Sequence, residues 1–160
     1  MEKLKLIVIV PMMMVLLAGI SYASDSWPDT VMQKINVLYD LEKDKKDMPL
    51  SIEEAPVVSG EEAYTMWKSK KAVILDTRSK TQYDTERITG SENLYADELI
   101  KDPSLAQGLD KEKAYILYCN GIKCTRSPKA AILMNHLGFK KIYWYREGIP
   151  DWKSKGYPTE

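Results

Sequence analysis

The sequence is poor in metal-ligating residues, with only one histidine and two cysteines among its 160 residues. Four residues separate the two cysteines, and no pair of histidines accompanies them. Metal sites are usually built from several such ligands at short, regular spacings. The sequence also lacks a Gly-x-x-x-x-Gly-Lys motif, which excludes a phosphate-binding loop of that kind. We therefore expect no metal and no cofactor.

An excess of charge of one sign is also missing, because 23 Lys and Arg residues balance 23 Asp and Glu residues. Proteins that bind nucleic acid through their overall electrostatic field usually carry a clear positive excess. We therefore expect no nucleic acid partner. A hydrophobic content of 44% with 29% charged residues is typical of a globular chain with one core.

The N-terminus contains the one long apolar run, from Leu6 to Ile20, after the basic residues Lys3 and Lys5. Small residues then surround Tyr22 at positions that a signal peptidase reads, which predicts a signal peptide over residues 1–23. An uncleaved membrane anchor is the alternative, but the run is shorter than the roughly 20 residues of a spanning helix. We expect export to a bacterial periplasm or secretion, with no membrane span after signal removal.

Residues 24–56 read as an N-terminal extension formed by a helix and a linker. Apolar residues recur at helical spacing after Trp27 and Pro28, namely Val31, Ile35, Leu38 and Leu41. This spacing predicts one amphipathic helix, followed by a mixed-charge linker. The simpler interpretation is a helix packed on the outside of the domain, and the alternative is a docking helix for a partner.

Residues 57–160 alternate between short apolar runs and helical patterns. The predicted strands are residues 72–75, 93–95, 114–118 and 141–145, and the predicted helices are residues 59–67, 97–100, 127–137 and 148–155. Strands that alternate with helices predict an α/β fold with a parallel-rich central sheet and helices on both faces. Sites in such folds lie at the carboxyl ends of the strands.

Both cysteines lie in the loop that follows the predicted strand 114–118. Ser127 and Pro128 read as the N-cap and first position of the next helix. Cys119 would therefore sit at the carboxyl end of a strand and face a helix N-terminus, where loop amides and the helix dipole stabilise an anion. Lys123 and Arg126 add positive charge to this loop. The pattern predicts a nucleophilic cysteine of low pKa that attracts an anionic substrate, and an inert core thiol is the alternative.

Residues 58–158 resemble a single rhodanese domain, the sulfurtransferase module. The landmarks are, in chain order, Asp76-Thr77-Arg78 after a hydrophobic strand, Tyr83, the run from Ile88 to Leu94, the Cys119 loop, Gly138-Phe139, Gly148 to Trp152, and Gly156 to Pro158. The resemblance implies a rhodanese-like sheet with its active loop at the carboxyl end of a central strand. The loop departs from the family pattern, because Arg126 and Ser127 come about two residues later than usual.

The resemblance implies a sulfur transfer in which the Cys119 thiolate attacks the outer sulfur of a small anionic donor such as thiosulfate or a polysulfide. A persulfide forms on Cys119 and passes to a thiol or protein acceptor. The implied substrate-binding residues are those of the loop, namely Asn120, Gly121, Ile122, Lys123, Cys124, Thr125, Arg126 and Ser127. Asp76 and Arg78 would form a structural ion pair, with substrate binding as the less favoured role.

Cys124 has several roles open to it: a loop-packing residue, a resolving thiol or a disulfide partner of Cys119. We predict two free thiols in the resting protein and a reversible disulfide that switches transfer off. Two other functions remain as alternatives. One is a non-enzymatic or redox-regulated binding module that uses the two cysteines. The other is a Cys-based phosphatase or arsenate reductase, which would need an arginine at the position of Thr125.

Overall fold

A four-stranded parallel sheet lies at the centre of the computed structural model, which describes residues 27–160. Its strands are β1 (Val73–Asp76), β2 (Glu92–Asn93), β3 (Ala114–Tyr118) and β4 (Lys141–Tyr145). They are arranged in the order β2-β1-β3-β4, and every neighbouring pair is parallel. Asp76 and Tyr145 pair with Tyr118, so three strands end at the same edge of the sheet. The prediction of an α/β fold with a parallel-rich sheet is confirmed.

Helices cover both faces of this sheet. They are α1 (Asp29–Lys43), α2 (Gly60–Lys68), α3 (Lys80–Thr85), α4 (Ala96–Leu99), α5 (Arg126–His136) and α6 (Gly148–Ser154), with a 3₁₀ helix over Pro103–Ala106. A capping box begins α2, because Ser59 accepts from the Glu62 amide and the Glu62 side chain accepts from the Ser59 amide. The short helix α3 had no counterpart among the predicted elements.

Side chains alternate across β3 and so contribute to two separate cores. Tyr115 and Leu117 join the larger cluster, which α1, α4 and α5 cover. Ile116 and Tyr118 point to the opposite face and join the smaller cluster with Trp152 of α6. Because β3 is central and both of its faces are covered, its run without polar alternation is explained by burial on both sides.

Helix α5 begins earlier than the sequence indicated. Its N-cap is Thr125 and its first residue is Arg126, so Ser127 and Pro128 lie within the first turn and are not the N-cap and first position. Thr125 already has right-handed helical backbone angles and makes no side-chain capping hydrogen bond. Proline is tolerated there because amides of the first turn have no acceptor within the helix. The correction brings Ser127 into the helix and beside the preceding loop.

The extension before residue 57 is folded onto the domain. Val31, Ile35 and Leu38 are buried in the larger core, whereas Leu41 is only partly buried. The indole N–H of Trp27 donates to the carbonyl of Ile100 at 2.7 Å. The amphipathic helix is therefore present and packs against the domain. The predicted signal peptide, residues 1–23, lies outside the described residues and stays a prediction.

Candidate functional site

The loop of residues 119–125 joins the end of the central strand β3 to the start of α5. The start of α6 fixes its near end, because the Ile149 amide donates to the Cys119 carbonyl at 3.1 Å. Gly148 has a φ of +63°, and a Cβ there would lie 2.3 Å from that carbonyl oxygen. Only glycine fits this close approach between two backbone segments. Backbone contacts thus hold the loop against α6.

The Cys119 side chain has no exposed surface and is surrounded by hydrogen-bonding groups. Its Sγ lies 3.0 Å from the Ser127 hydroxyl and 3.4 Å from the carbonyl oxygen of Cys124. The Trp144 indole N–H donates to the same Ser127 hydroxyl at 2.9 Å. This donation occupies one lone pair of the Ser127 oxygen, so its own proton is available to a sulfur anion on Cys119.

Cys124 lies beside Cys119, is 7% exposed, and like Cys119 is a free thiol. Its amide donates to the Gly121 carbonyl at 2.9 Å, which closes a turn inside the loop. Gly121 has a φ of +105°, a conformation that favours glycine in this turn. The loop therefore brings both cysteines of the chain into one small buried volume.

The two thiols differ in acidity. Burial, followed by the neighbouring Cys124, raises the pKa of the Cys119 thiol well above its ordinary value. A hydrogen bond from Cys119 lowers the pKa of Cys124 to about 6, and the backbone amides of Arg126 and Asn120 act in the same direction. This direction for Cys119 is opposite to the low pKa that the sequence predicted for it. Of the two thiols, Cys124 is therefore the more acidic.

We predict that alkylation of Cys124 by iodoacetamide rises with pH and reaches half of its plateau near pH 6, where the thiolate becomes the main form. Peptide-mapped mass spectrometry of samples alkylated at pH values between about 4 and 9 measures this midpoint. In the Cys119→Ala variant the hydrogen-bond donor is lost, so the midpoint moves to higher pH. Equal midpoints in the two proteins would remove Cys119 as the cause of the acidity.

Basic residues at the start of α5 are paired with one carboxylate from α4. Asp97 accepts from Arg126 Nε at 2.9 Å and also from Lys129, which is fully buried. Lys129 donates further to the Tyr39 hydroxyl of α1 at 3.1 Å. Despite burial, the hydrogen bonds from Lys129 and Tyr95 hold the pKa of Asp97 below its ordinary value. The cation of Arg126 is therefore partly neutralised, a feature that the sequence prediction lacked.

The predicted binding residues fall into two groups by exposure. Asn120, Ile122 and Lys123 have exposed side chains, whereas Gly121, Cys124, Thr125 and Ser127 are buried and Arg126 is intermediate. The side chains of the exposed group face solvent.

The N-terminal extension reaches the loop, which its sequence did not indicate. The Thr125 hydroxyl donates to Glu42 of α1 at 3.2 Å, and the Met48 amide donates to the Ile122 carbonyl at 2.7 Å. Arg146, just after β4, donates to the carbonyl oxygens of Met48 and Pro49 at 2.8 and 2.9 Å. The extension thus packs against the loop of the site as well as against α5.

Asp76 and Arg78 form the expected ion pair, at 2.5 Å and almost fully buried. The Tyr118 hydroxyl donates to the same carboxylate, and burial followed by Asp76 raises the pKa of Tyr118. The Thr77 hydroxyl in turn donates to the Tyr118 carbonyl at 2.8 Å, directly before Cys119. These bonds tie β1 to the residue that precedes the nucleophile candidate.

Within residues 27–160, no group of three or more His, Cys, Asp or Glu side chains has metal-site geometry. The single histidine, His136, packs edge-on against Trp27 with 5.7 Å between the ring centroids. None of the helices in this range is long and apolar enough to cross a membrane.

Comparisons with known proteins agree with this geometry. The family model of the rhodanese-like domain matches residues 59–155. An uncharacterized protein from Buchnera aphidicola is 24% identical over 103 residues, which cover 64% of this chain and 68% of that protein. Among solved structures, a rhodanese-related protein from Thermoplasma volcanium is similar with a TM-score of 0.56 and 25% identity, covering 66% of this chain and 97% of the other. A protein from Bacillus halodurans has a TM-score of 0.59 at 22% identity, covering 78% and 85%, and shows likeness of fold alone.

Proposed function

Because this chain belongs to the family of rhodanese-like domains, we propose that it is a sulfurtransferase that takes a sulfane sulfur onto Cys119 and passes it to a thiol. The observation that carries the proposal is the position of Cys119. Its sulfur lies at the carboxyl end of the central strand, 3.0 Å from the Ser127 hydroxyl and next to a second thiol. This is a site for an anionic sulfur species.

The first step needs a thiolate on Cys119, and Cys124 supplies the means to form it. The Cys124 thiolate accepts the proton of the Cys119 thiol, so that the charge moves from one sulfur to the other. Cys119 then attacks the outer sulfur of thiosulfate and sulfite leaves, with a persulfide remaining on Cys119. The proton stays on Cys124 during this step. No external base is required.

The persulfide anion gains hydrogen bonds in the place where it forms. The hydroxyl of Ser127 is directed by Trp144 and donates to sulfur on Cys119, and the Ser127 amide faces the same sulfur. Such fixed donors stabilise an anion without reorganisation. A small thiol, or a thiol presented by a partner protein, then removes the outer sulfur and restores the Cys119 thiolate.

A redox-regulated module is the second candidate function, and the adjacency of two free, buried thiols favours it. In that function an external oxidant joins the cysteines and no sulfur is transferred. Turnover with thiosulfate separates the two functions, because only the sulfurtransferase releases sulfite in proportion to the sulfur that it accepts.

Arg126→Ala is expected to raise the KM for thiosulfate roughly 10-fold, because a guanidinium binds a divalent anion through charge-assisted hydrogen bonds. Asp97 engages Nε of Arg126 and leaves the two terminal nitrogens for a ligand. Unfolding free energy should fall by less than about 1 kcal/mol, since the pair is partly exposed and Asp97 keeps Lys129.

Steady-state kinetics measure the KM for thiosulfate of wild type and of three variants, Arg126→Ala, Arg126→Lys and Lys123→Ala. The lysine variant keeps the charge and should recover part of the affinity. Lys123 has an exposed side chain, so its removal should have a smaller effect that disappears at high salt. Equal KM values for wild type and Arg126→Ala would exclude Arg126 from donor binding.

A further inference from the structure

The two cysteines lie together in one buried loop. Cys119 has no exposed surface, Cys124 is 7% exposed, and Cys119 Sγ lies 3.4 Å from the Cys124 carbonyl oxygen. A sulfur atom bound to Cys119 is therefore shielded from solvent, whereas Cys124 already lies inside the same loop, and a hydrogen bond joins the two side chains. This shielding bears on how a persulfide would leave the site.

We propose that Cys124 attacks the inner sulfur of the Cys119 persulfide, so that hydrogen sulfide leaves and a Cys119–Cys124 disulfide remains for an external dithiol to reduce. The inference rests on the proposed function, because it starts from the persulfide of Cys119. It gives the protein a second activity, the reduction of sulfane sulfur to sulfide, and it defines the partner as a protein or small molecule that carries two thiols.

The atoms and charges balance with thiosulfate as the donor. Cys124 accepts the proton of Cys119 in the first step, while sulfite leaves and the persulfide anion forms. The same proton then moves from Cys124 to the outer sulfur of the persulfide. The Cys124 thiolate forms a bond to Cys119 Sγ, the bond between the two persulfide sulfurs breaks, and the outer sulfur leaves as HS⁻.

The electrons balance without an additional oxidant. Two thiol sulfurs are oxidised to a disulfide, and the sulfane sulfur is reduced to sulfide. A dithiol reductant afterwards returns the disulfide to two thiols and is itself oxidised to a disulfide. The disulfide is therefore a product of each turnover, which differs from a switch that an outside oxidant closes.

The loop geometry favours this role over simple packing for Cys124. A disulfide needs Cα atoms within about 7 Å and Cβ atoms that point toward each other. The turn closed by the Cys124 amide on the Gly121 carbonyl folds the loop back, so that Cys124 returns to the sulfur of Cys119. The amides of Asn120 and Arg126 also face the Cys124 sulfur and stabilise its thiolate, the form that attacks.

The test is a single turnover with thiosulfate under anaerobic conditions and without added thiol, followed by assays of sulfite, sulfide and protein mass. Wild type is expected to release sulfite and sulfide in equal amounts and to end as the disulfide. Cys124→Ser and Cys124→Ala are expected to release sulfite, retain the extra sulfur on Cys119, and release at least about 10-fold less sulfide. In multiple turnover, dithiothreitol should then support wild type better than an equal thiol concentration of 2-mercaptoethanol.

The readouts separate this inference from the function on which it rests. Wild type that releases sulfite but keeps a stable persulfide and yields no sulfide would overturn the inference and leave the sulfurtransferase intact. Sulfide release from Cys124→Ser equal to that of wild type would also overturn it. Failure of wild type to take sulfur from either thiosulfate or tetrasulfide would overturn both. The products of wild type decide the outcome even where a variant does not fold.

Discussion

Cys119→Ser is expected to lower the rate of thiosulfate turnover by at least about 10³-fold, the largest effect on activity of any single substitution in this chain. Serine has almost the same shape, but its hydroxyl forms no persulfide and is not ionised by a neighbouring thiolate. The buried environment of Cys119 and its contact with Ser127 should accept an oxygen without loss of the fold. Sulfite release in the presence of a monothiol acceptor measures the effect.

Cys124→Ser is the matched control, because it makes the same chemical change in the same loop. With a monothiol acceptor at a concentration that replaces the internal thiol, it should retain measurable turnover, although proton removal from Cys119 becomes slower. Comparable losses in the two variants would mean that the pair acts as one unit. Undiminished transfer by Cys119→Ser would show that Cys119 is not the nucleophile.

Asp76→Ala is expected to lower the free energy of unfolding by about 3–5 kcal/mol, the largest effect on stability, because it leaves a buried guanidinium without its counter-ion. Asp76 accepts from Arg78 Nε at 2.9 Å and from the Arg78 amide at 2.9 Å. It also accepts from Arg78 Nη2 and from the Tyr118 hydroxyl, so four donors lose this acceptor in the variant. Chemical denaturation followed by tryptophan fluorescence measures the difference.

Asp84→Ala provides the control, since Asp84 also pairs with a basic residue, Lys80, but on the exposed surface of α3. Its removal should change the free energy of unfolding by no more than about 0.5 kcal/mol. If Asp76→Ala were as stable as Asp84→Ala, the buried pair would not hold the ends of β1 and β3 together. A functional role for Asp76 would then need to be considered in place of the structural one.

Patterns of burial made most of the fold predictable from the sequence. The strands Ala114–Tyr118 and Lys141–Tyr145 have the predicted bounds, because two-sided burial leaves runs of apolar and aromatic residues. The capping box at Ser59 and Glu62 is also local information, since it joins two residues that are three positions apart in the sequence. Helix α3 was missed because its six residues have no buried side chain and so no apolar periodicity.

The chemical state of the site could be predicted only in part. The position of Cys119 between strand and helix is local information, but the acidity of the two thiols depends on burial and on which sulfur meets which amide. The pairing of Asp97 with Lys129 joins residues 32 positions apart, and nothing in the spacing of the sequence marks it. The contacts of Glu42 and Met48 with the loop are likewise set by tertiary packing of the extension.

The most direct test of the central claim is peptide-mapped mass spectrometry of the Cys124→Ala protein after anaerobic incubation with thiosulfate and removal of excess donor. This variant contains Cys119 as its only cysteine, so any bound sulfur has one possible thiol carrier and no internal thiol to remove it. A sulfurtransferase that works through Cys119 predicts the mass of one added sulfur atom on the peptide that contains this residue, with sulfite released in equal amount. An unmodified Cys119 peptide in the folded variant, together with no sulfite release from wild type, would contradict the account.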